Sequence, residues 1–147
     1  MHESFAGKRP GEKEMPKNQV AVQTTKQIPK VIGKHVYANL YGIDSGLIAN
    51  LDRLTTVVIK AAQVGNMHIL ELVTKKFSSL NGVEGGVSVI ALIEESHIAL
   101  HTWPESMYAT VDIYTCGAKS NAELALKYVI DELKPKSCKI GTADRGN

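Results

Sequence analysis

Chemistry-bearing residues crowd into one stretch, Glu94-Glu95-Ser96-His97-Ile98-Ala99-Leu100-His101-Thr102-Trp103-Pro104-Glu105, with Gly86-Val87-Ser88 before it and Tyr114-Thr115-Cys116-Gly117 after it. His97 and His101 are four apart, a spacing that on a helix would put two imidazoles on one face as metal ligands. This segment has the composition of a strand, however, and four residues along a strand span about 13 Å. No Glu follows the first histidine, so no metal site is expected. Ser96 stands between Glu95 and His97, with His101 on the alternate face of the same strand. A serine beside acids is ordinarily a turn residue, and no G-x-S-x-G elbow surrounds this one. Cys116, at a strand end beside Gly117, could be a nucleophile served by a distant histidine, although buried structural cysteine is the commoner case. Taken singly, these residues leave the chemistry open.

The elements that must position them follow from periodicity. His35–Tyr41 reads as a strand closed by the Gly42–Gly46 turn cluster. Leu51, Leu54, Val58 and Ala62 repeat at helical spacing, with Gly65 suited to the position after the helix. Met67–Thr74 reads as a second strand and Lys75–Gly86 as a loop. Val87–Tyr114 has no helix face and reads as strands broken near Glu94–Ser96 and at Trp103-Pro104. Ser120 or Asn121 caps a helix whose stripe is Leu126, Val129, Ile130 and Leu133, stopped by Pro135. Cys138–Ala143 is a last short strand. The order βαβ-βββ-αβ predicts an α+β two-layer sandwich, a mostly antiparallel sheet with two helices on one face. The other face is expected to be apolar and covered by a second copy.

Composition narrows the function classes. The chain has 147 residues, 44% hydrophobic and 22% charged, enough for one domain with a core. Its net charge of +2 is uneven: residues 1–30 hold six bases against three acids, which leaves residues 31–147 near −1. Those first 30 residues, with three prolines and no period, read as a disordered basic extension. A near-neutral body with one Trp and two Phe does not suit a nucleic-acid binder. No run approaches the roughly 18 apolar residues of a membrane span. Two cysteines, Cys116 and Cys138, make neither a disulfide framework nor a four-ligand zinc site, and the expectation is a cytoplasmic protein with reduced thiols.

Read together, Glu95-Ser96-His97, His101-Thr102-Trp103-Pro104-Glu105 and Tyr114-Thr115-Cys116-Gly117, preceded by Gly86-Val87-Ser88, resemble the prokaryotic S-adenosylmethionine decarboxylase proenzyme family. Gly33-Lys34-His35 is similar to that family's first-strand motif, and the resemblance covers residues 31–147. It implies a self-processing enzyme. The Ser96 hydroxyl attacks the Glu95 carbonyl, the chain is cut into a β chain, 1–95, and an α chain, 96–147, and Ser96 becomes a covalent pyruvoyl group. That carbonyl then forms a Schiff base with the substrate amine and acts as electron sink for loss of CO₂. The resemblance gives His101 proton transfer in processing, Ser88 a supporting role there, Cys116 proton donation in decarboxylation, and Glu105 substrate binding. It also implies a homo-oligomer of α/β heterodimers, dimer or tetramer, with sites near the subunit contact, and a small amino-acid substrate. No metal, nicotinamide or pyridoxal phosphate is implied.

The family has an archaeal arginine-decarboxylating branch, and details here look more like it. Asn39 replaces an acid usual in the S-adenosylmethionine type, and Lys75–Gly86 offers only Phe77 where an aromatic residue commonly stacks on adenine. Glu71, Glu105 and Asp112 are acids able to hold a guanidinium. The expected reaction is L-arginine to agmatine, with S-adenosylmethionine as the alternative substrate; either product feeds polyamine synthesis. Composition and periodicity alone equally permit a dimeric small-molecule binding module, or a thiol hydrolase using Cys116 and His101.

Overall fold

Alternation of apolar and other residues sets the strands, and a computed structural model, which describes residues 28–146, shows how they assemble. Six strands, β1 (Ile32–Tyr41), β2 (Ile69–Lys76), β3 (Val87–Ile93), β4 (Ser96–Trp103), β5 (Tyr108–Thr115) and β6 (Ser137–Gly146), form one sheet in the order β2-β3-β4-β5-β1-β6. Every neighbouring pair is antiparallel. Three helices accompany it: α1 (Ser45–Ile48), α2 (Leu51–Val64) and α3 (Ala122–Leu133). The α+β architecture and the βαβ-βββ-αβ order are those expected from the sequence. The first 27 residues, which carry most of the basic extension, lie outside the described residues.

One face of the sheet makes the core. Val36, Ala38 and Leu40 of β1, Val87, Val89, Ala91 and Ile93 of β3, Ile98 and Leu100 of β4, and Ala109, Val111 and Ile113 of β5 are buried in strict alternation. Against them α2 presents Leu54, Val57, Val58, Ala61 and Ala62, and α3 presents Ala122, Ala125, Leu126, Val129 and Leu133. Burial of each such Leu, Ile or Val side chain stabilises by about 1.5–3 kcal/mol. Asn50 and Asn121 cap the two helices, each side-chain oxygen accepting from the backbone N–H three residues on, at 3.0 Å. Lys134, left-handed at φ 49°, ends α3 before Pro135.

Several boundaries differ from the sequence reading, each for a tertiary reason. Part of the Gly42–Gly46 turn cluster is helical: Asp44 accepts from Leu47 N at 2.9 Å and starts α1. That short helix is tied to the sheet by buried Thr102, whose hydroxyl donates to the Ile48 carbonyl at 2.7 Å and accepts from Val87 N at 2.9 Å. β1 begins at Ile32 rather than His35, and β6 runs to Gly146 rather than Ala143, because the two pair along their whole length. β2 is displaced by two residues, to Ile69–Lys76, by its ladder with β3.

The second face of the sheet is mixed rather than apolar. Tyr37, Tyr41 and Trp103 are 42%, 36% and 40% exposed, and Ile90 and Leu92 lie open beside them. Interspersed are His35, whose Nε2 meets Asp112 Oδ1 at 3.1 Å, and His97, paired in register with Tyr114. Arg145 lies over the Tyr114 ring, 5.2 Å from its centroid. An aromatic and polar face of this kind is suited to contact or binding.

Candidate functional site

The turn between β3 and β4 places the Glu95–Ser96 peptide against the end of β5, where register pairs Ser96 with Thr115. One residue further, Cys116 directs two donors at the Glu95 carbonyl oxygen: its backbone N–H at 2.9 Å and its Sγ at 3.0 Å. The Ser96 Oγ lies 3.8 Å from that Sγ. Ser96 has φ 151°, a backbone conformation that side-chain-bearing residues rarely adopt and that costs of order 1–3 kcal/mol. The peptide is thus strained on its amine side and polarised on its carbonyl side, with two donors at the distance wanted for a developing oxyanion.

Glu95 is held by its side chain as well. One carboxylate oxygen takes His68 Nδ1 at 2.8 Å and the other takes the His68 backbone N–H at 3.2 Å. Burial pushes the Glu95 carboxyl upward, but the hydrogen bonds from His68 outweigh it and leave the group below its ordinary value. The hydrogen bond and charge of Glu95 raise His68 correspondingly. Gly117 is required beside them: a Cβ there would stand 2.7 Å from Glu95 Cγ. A shallow cavity of about 440 Å³ opens next to Cys116 and Gly117, between Lys34 and Ser120.

A second cluster forms at the other end of β4. Ser88 of β3 pairs in register with His101, and the Ser88 hydroxyl meets His101 Nδ1 at 2.7 Å. Both line a cavity of about 600 Å³, walled by Phe77 and Trp103, with Glu84 and Glu105 at its margin. Glu105 sits in the single 3₁₀ turn Pro104–Ser106. Glu84 is paired with Lys76 at 3.3 Å; among the described residues no basic side chain pairs with Glu105.

Within one chain, then, the structure joins Glu95, Ser96 and Cys116, and separately joins Ser88, His101 and Glu105. Five residues of extended strand, about 16 Å, separate Ser96 from His101. Of the other acids named from the sequence, Asp112 is engaged by His35 and Glu71 lies exposed on edge strand β2. Neither lines the larger cavity. Phe77 does, so an aromatic wall is present after all. Sequence reasoning passed over His68, whose only local signal is its place between a helix end and a strand. Its contact with Glu95 spans 27 residues and arises from sheet pairing. The motif likewise does not reveal that Cys116 faces the Glu95 carbonyl.

The S-adenosylmethionine decarboxylase family model matches residues 34–146. The chain is 48% identical to the arginine decarboxylase proenzyme of Hyperthermus butylicus over 117 residues, 80% of each chain. It is 47% identical to that of Pyrobaculum arsenaticum over 123 residues, 84% of this chain and 90% of the relative. Among solved structures, the adenosylmethionine decarboxylase from Aquifex aeolicus superimposes with a TM-score of 0.72 at 34% identity, covering 81% of this chain and 94% of that one.

Proposed function

The chain belongs to the S-adenosylmethionine decarboxylase family, and from that membership we propose that it is a self-cleaving, pyruvoyl-dependent decarboxylase that converts L-arginine to agmatine and CO₂. The observation that carries this reading is the Glu95–Ser96 peptide, with a hydroxyl on its strained side and two Cys116 donors on its carbonyl oxygen.

Cleavage follows from these atoms. Ser96 Oγ adds to the Glu95 carbonyl carbon, negative charge moves to the oxygen held by Cys116, and the C–N bond breaks. The hydroxyl proton ends on the freed amine and an ester joins the two residues. Removal of the Ser96 α-proton then expels the Glu95 carboxylate, breaking the Cβ–O bond. Water displaces the amine as ammonia and leaves a pyruvoyl group at the start of residues 96–147, with residues 1–95 as the second chain. Such a carbonyl supplies the electron sink that loss of CO₂ from an α-amino acid requires. The fit of the site is local: Ser96 lies next to Cys116, which can return a proton to the α-carbon, beside an open cavity.

His101, oriented by the Ser88 hydroxyl on its Nδ1, is the residue suited to moving protons. It lies too far along β4 to reach Ser96 of its own chain. We therefore assign the working form to a homo-oligomer of cleaved chains, in which mixed sheet faces meet and the partner subunit's His101 approaches Ser96. In the larger cavity the Glu105 carboxylate can take a guanidinium by paired hydrogen bonds, with Trp103 offering a cation–π face. The names of the two curated relatives support arginine. Phe77 in the cavity wall favours S-adenosylmethionine as the second reading, because an aromatic face stacks on a purine.

Denaturing mass spectrometry of purified protein tests the cleavage, and CO₂ release from arginine and from S-adenosylmethionine, offered separately, tests the substrate. Two chains meeting between Glu95 and Ser96, with release from arginine, are expected. A chain that stays intact on long incubation overturns the pyruvoyl reading; release from S-adenosylmethionine alone overturns the substrate.

A further inference from the structure

The cleavage chemistry uses the carbonyl of Glu95 and makes no demand on its side chain, yet that side chain accepts as many hydrogen bonds as the carbonyl oxygen does. Both carboxylate oxygens are taken by one partner: His68 Nδ1 at 2.8 Å and the His68 backbone N–H at 3.2 Å. The ladder continues through Glu94, whose N–H donates to the His68 carbonyl at 2.9 Å. The Glu95 side chain is only 12% exposed, while the His68 ring is 62% exposed. Gly117 closes the opposite side against Glu95 Cγ. Glu95 is therefore fixed at its carboxylate by His68 and at its carbonyl oxygen by Cys116, on either side of the carbon that Ser96 must attack.

We propose that His68 is a positioning residue for self-cleavage: by clamping the Glu95 carboxylate and cancelling its charge, it holds the scissile carbonyl for attack by Ser96. The proposal rests on the self-cleavage reading. Its first half is geometric. Ser96 Oγ must approach the carbonyl carbon within a narrow cone, and freedom of Glu95 about its own backbone dilutes that alignment. Its second half is electrostatic. Attack builds negative charge on the Glu95 carbonyl oxygen, one residue's length from a carboxylate that opposes it. A protonated His68 removes that opposition. The titratable groups facing His68 are Glu95 and Glu94, both from the β3–β4 turn. Across the turn, Cys116 faces the carbonyl itself, and Lys119 contributes only a backbone oxygen, held by Asn66 Nδ2 at 3.1 Å. After cleavage the same clamp keeps the new C-terminus of the first chain in place, where Glu95 has gained a second carboxylate.

The test follows cleavage of freshly synthesised full-length chains by denaturing mass spectrometry, for wild type, His68→Ala and His68→Asn. EDTA is included in every sample. His68→Ala is expected to slow cleavage about tenfold, the scale of one charge-assisted hydrogen bond. His68→Asn, which restores a donor without a charge, should recover most of the rate at alkaline pH and less at acid pH. The ratio of wild-type to His68→Ala rates should be largest where the imidazole is protonated and shrink as pH rises through its raised value, scanned from about pH 5 to about pH 9. A substitution with a merely structural effect would slow cleavage equally at every pH. Equal rates for wild type and both variants across the range overturn the role of His68, as does a loss that is independent of pH and not rescued by Asn. A wild-type chain that never cleaves overturns the self-cleavage reading, and this inference with it. If His68→Ala precipitates, the pH profile of His68→Asn against wild type decides alone.

Discussion

At its first residue β4 carries Ser96 in a strained backbone, with its preceding carbonyl held by a cysteine and its preceding side chain held by a histidine. Five residues later the same strand carries His101, relaxed and in register with Ser88, on the wall of an open cavity. The first end stores strain and fixes one peptide bond; the second holds a hydrogen-bonded imidazole on the wall of a cavity. The strand keeps them about 16 Å apart, so within one chain the two ends stay separate. What the difference teaches is that the strained peptide and the open cavity are built on separate local structures, which the proposed function joins through a second copy.

The sharpest way to break that comparison is to disable one end in each of two chains. Ser96→Ala should abolish cleavage, and His101→Ala should slow it about 100-fold or more, the usual scale for loss of a general acid–base. Co-expressed, the His101→Ala chain should regain cleavage, because the Ser96→Ala partner supplies an intact His101. Mass spectrometry reads the products separately. If cleavage of the His101→Ala chain does not recover on mixing, the two ends do not meet between subunits.

Cys116 sharpens the comparison from the first end. Its thiol and its backbone N–H both reach the Glu95 carbonyl, and Cys116→Ala removes only the thiol. Cleavage should fall about tenfold or less while decarboxylation by the cleaved form falls about 100-fold, since the remaining N–H serves the first step and nothing replaces the proton donor in the second. Equal losses in both steps would contradict this division. At the other end, Glu105→Gln should leave cleavage untouched and raise KM for arginine about tenfold or more, through loss of a charge-assisted pair. Steady-state CO₂ release measures it, and an unchanged KM would remove Glu105 from the binding site.

The two ends also differ in how far they could be read from the sequence. Strands within Val87–Tyr114, the cap at Asn121, and breaks near Glu94–Ser96 and at Trp103-Pro104 follow from local rules and appear as expected, with Ser96 itself falling inside β4. Ser88 and His101 were legible as a pair of motif residues, and sheet register brings them together. The clamp on Glu95 was not legible, because only the pairing of β2 with β3 brings His68 to a turn 27 residues away. Nor was the polarity of the open sheet face, where His35, Asp112 and Tyr114 come from strands distant in sequence. Length was misjudged for β6 because a strand exposed on most of its residues has almost no hydrophobic signal, and only its pairing with β1 defines it.

A smaller effect concerns stability, and it separates strain from chemistry at Ser96. Ser96→Gly and Ser96→Ala both lack the hydroxyl and should both remain uncleaved. Glycine tolerates φ 151° whereas alanine does not, so Ser96→Gly should be the more stable of the two by about 1 kcal/mol in chemical denaturation. The smallest expected effect is the pH dependence of the clamp, read in uncleaved Ser96→Ala by hydrogen exchange at the Cys116 N–H, which is bonded to the Glu95 carbonyl. Glu95 lies below its ordinary value, so its contribution is present above the ordinary carboxyl pKa of about 4.3 and is lost as pH falls through the lowered native value. His68 lies above its ordinary value, so its contribution is complete below about 6.5 and is lost as pH rises through the raised native value. After correction for intrinsic exchange, protection of that amide should therefore be greatest between the two ordinary values and decline on both sides. The same amide in Ser96→Ala/His68→Ala should lose the alkaline decline, because no imidazole remains to deprotonate; persistence of that decline would show that another group controls the peptide.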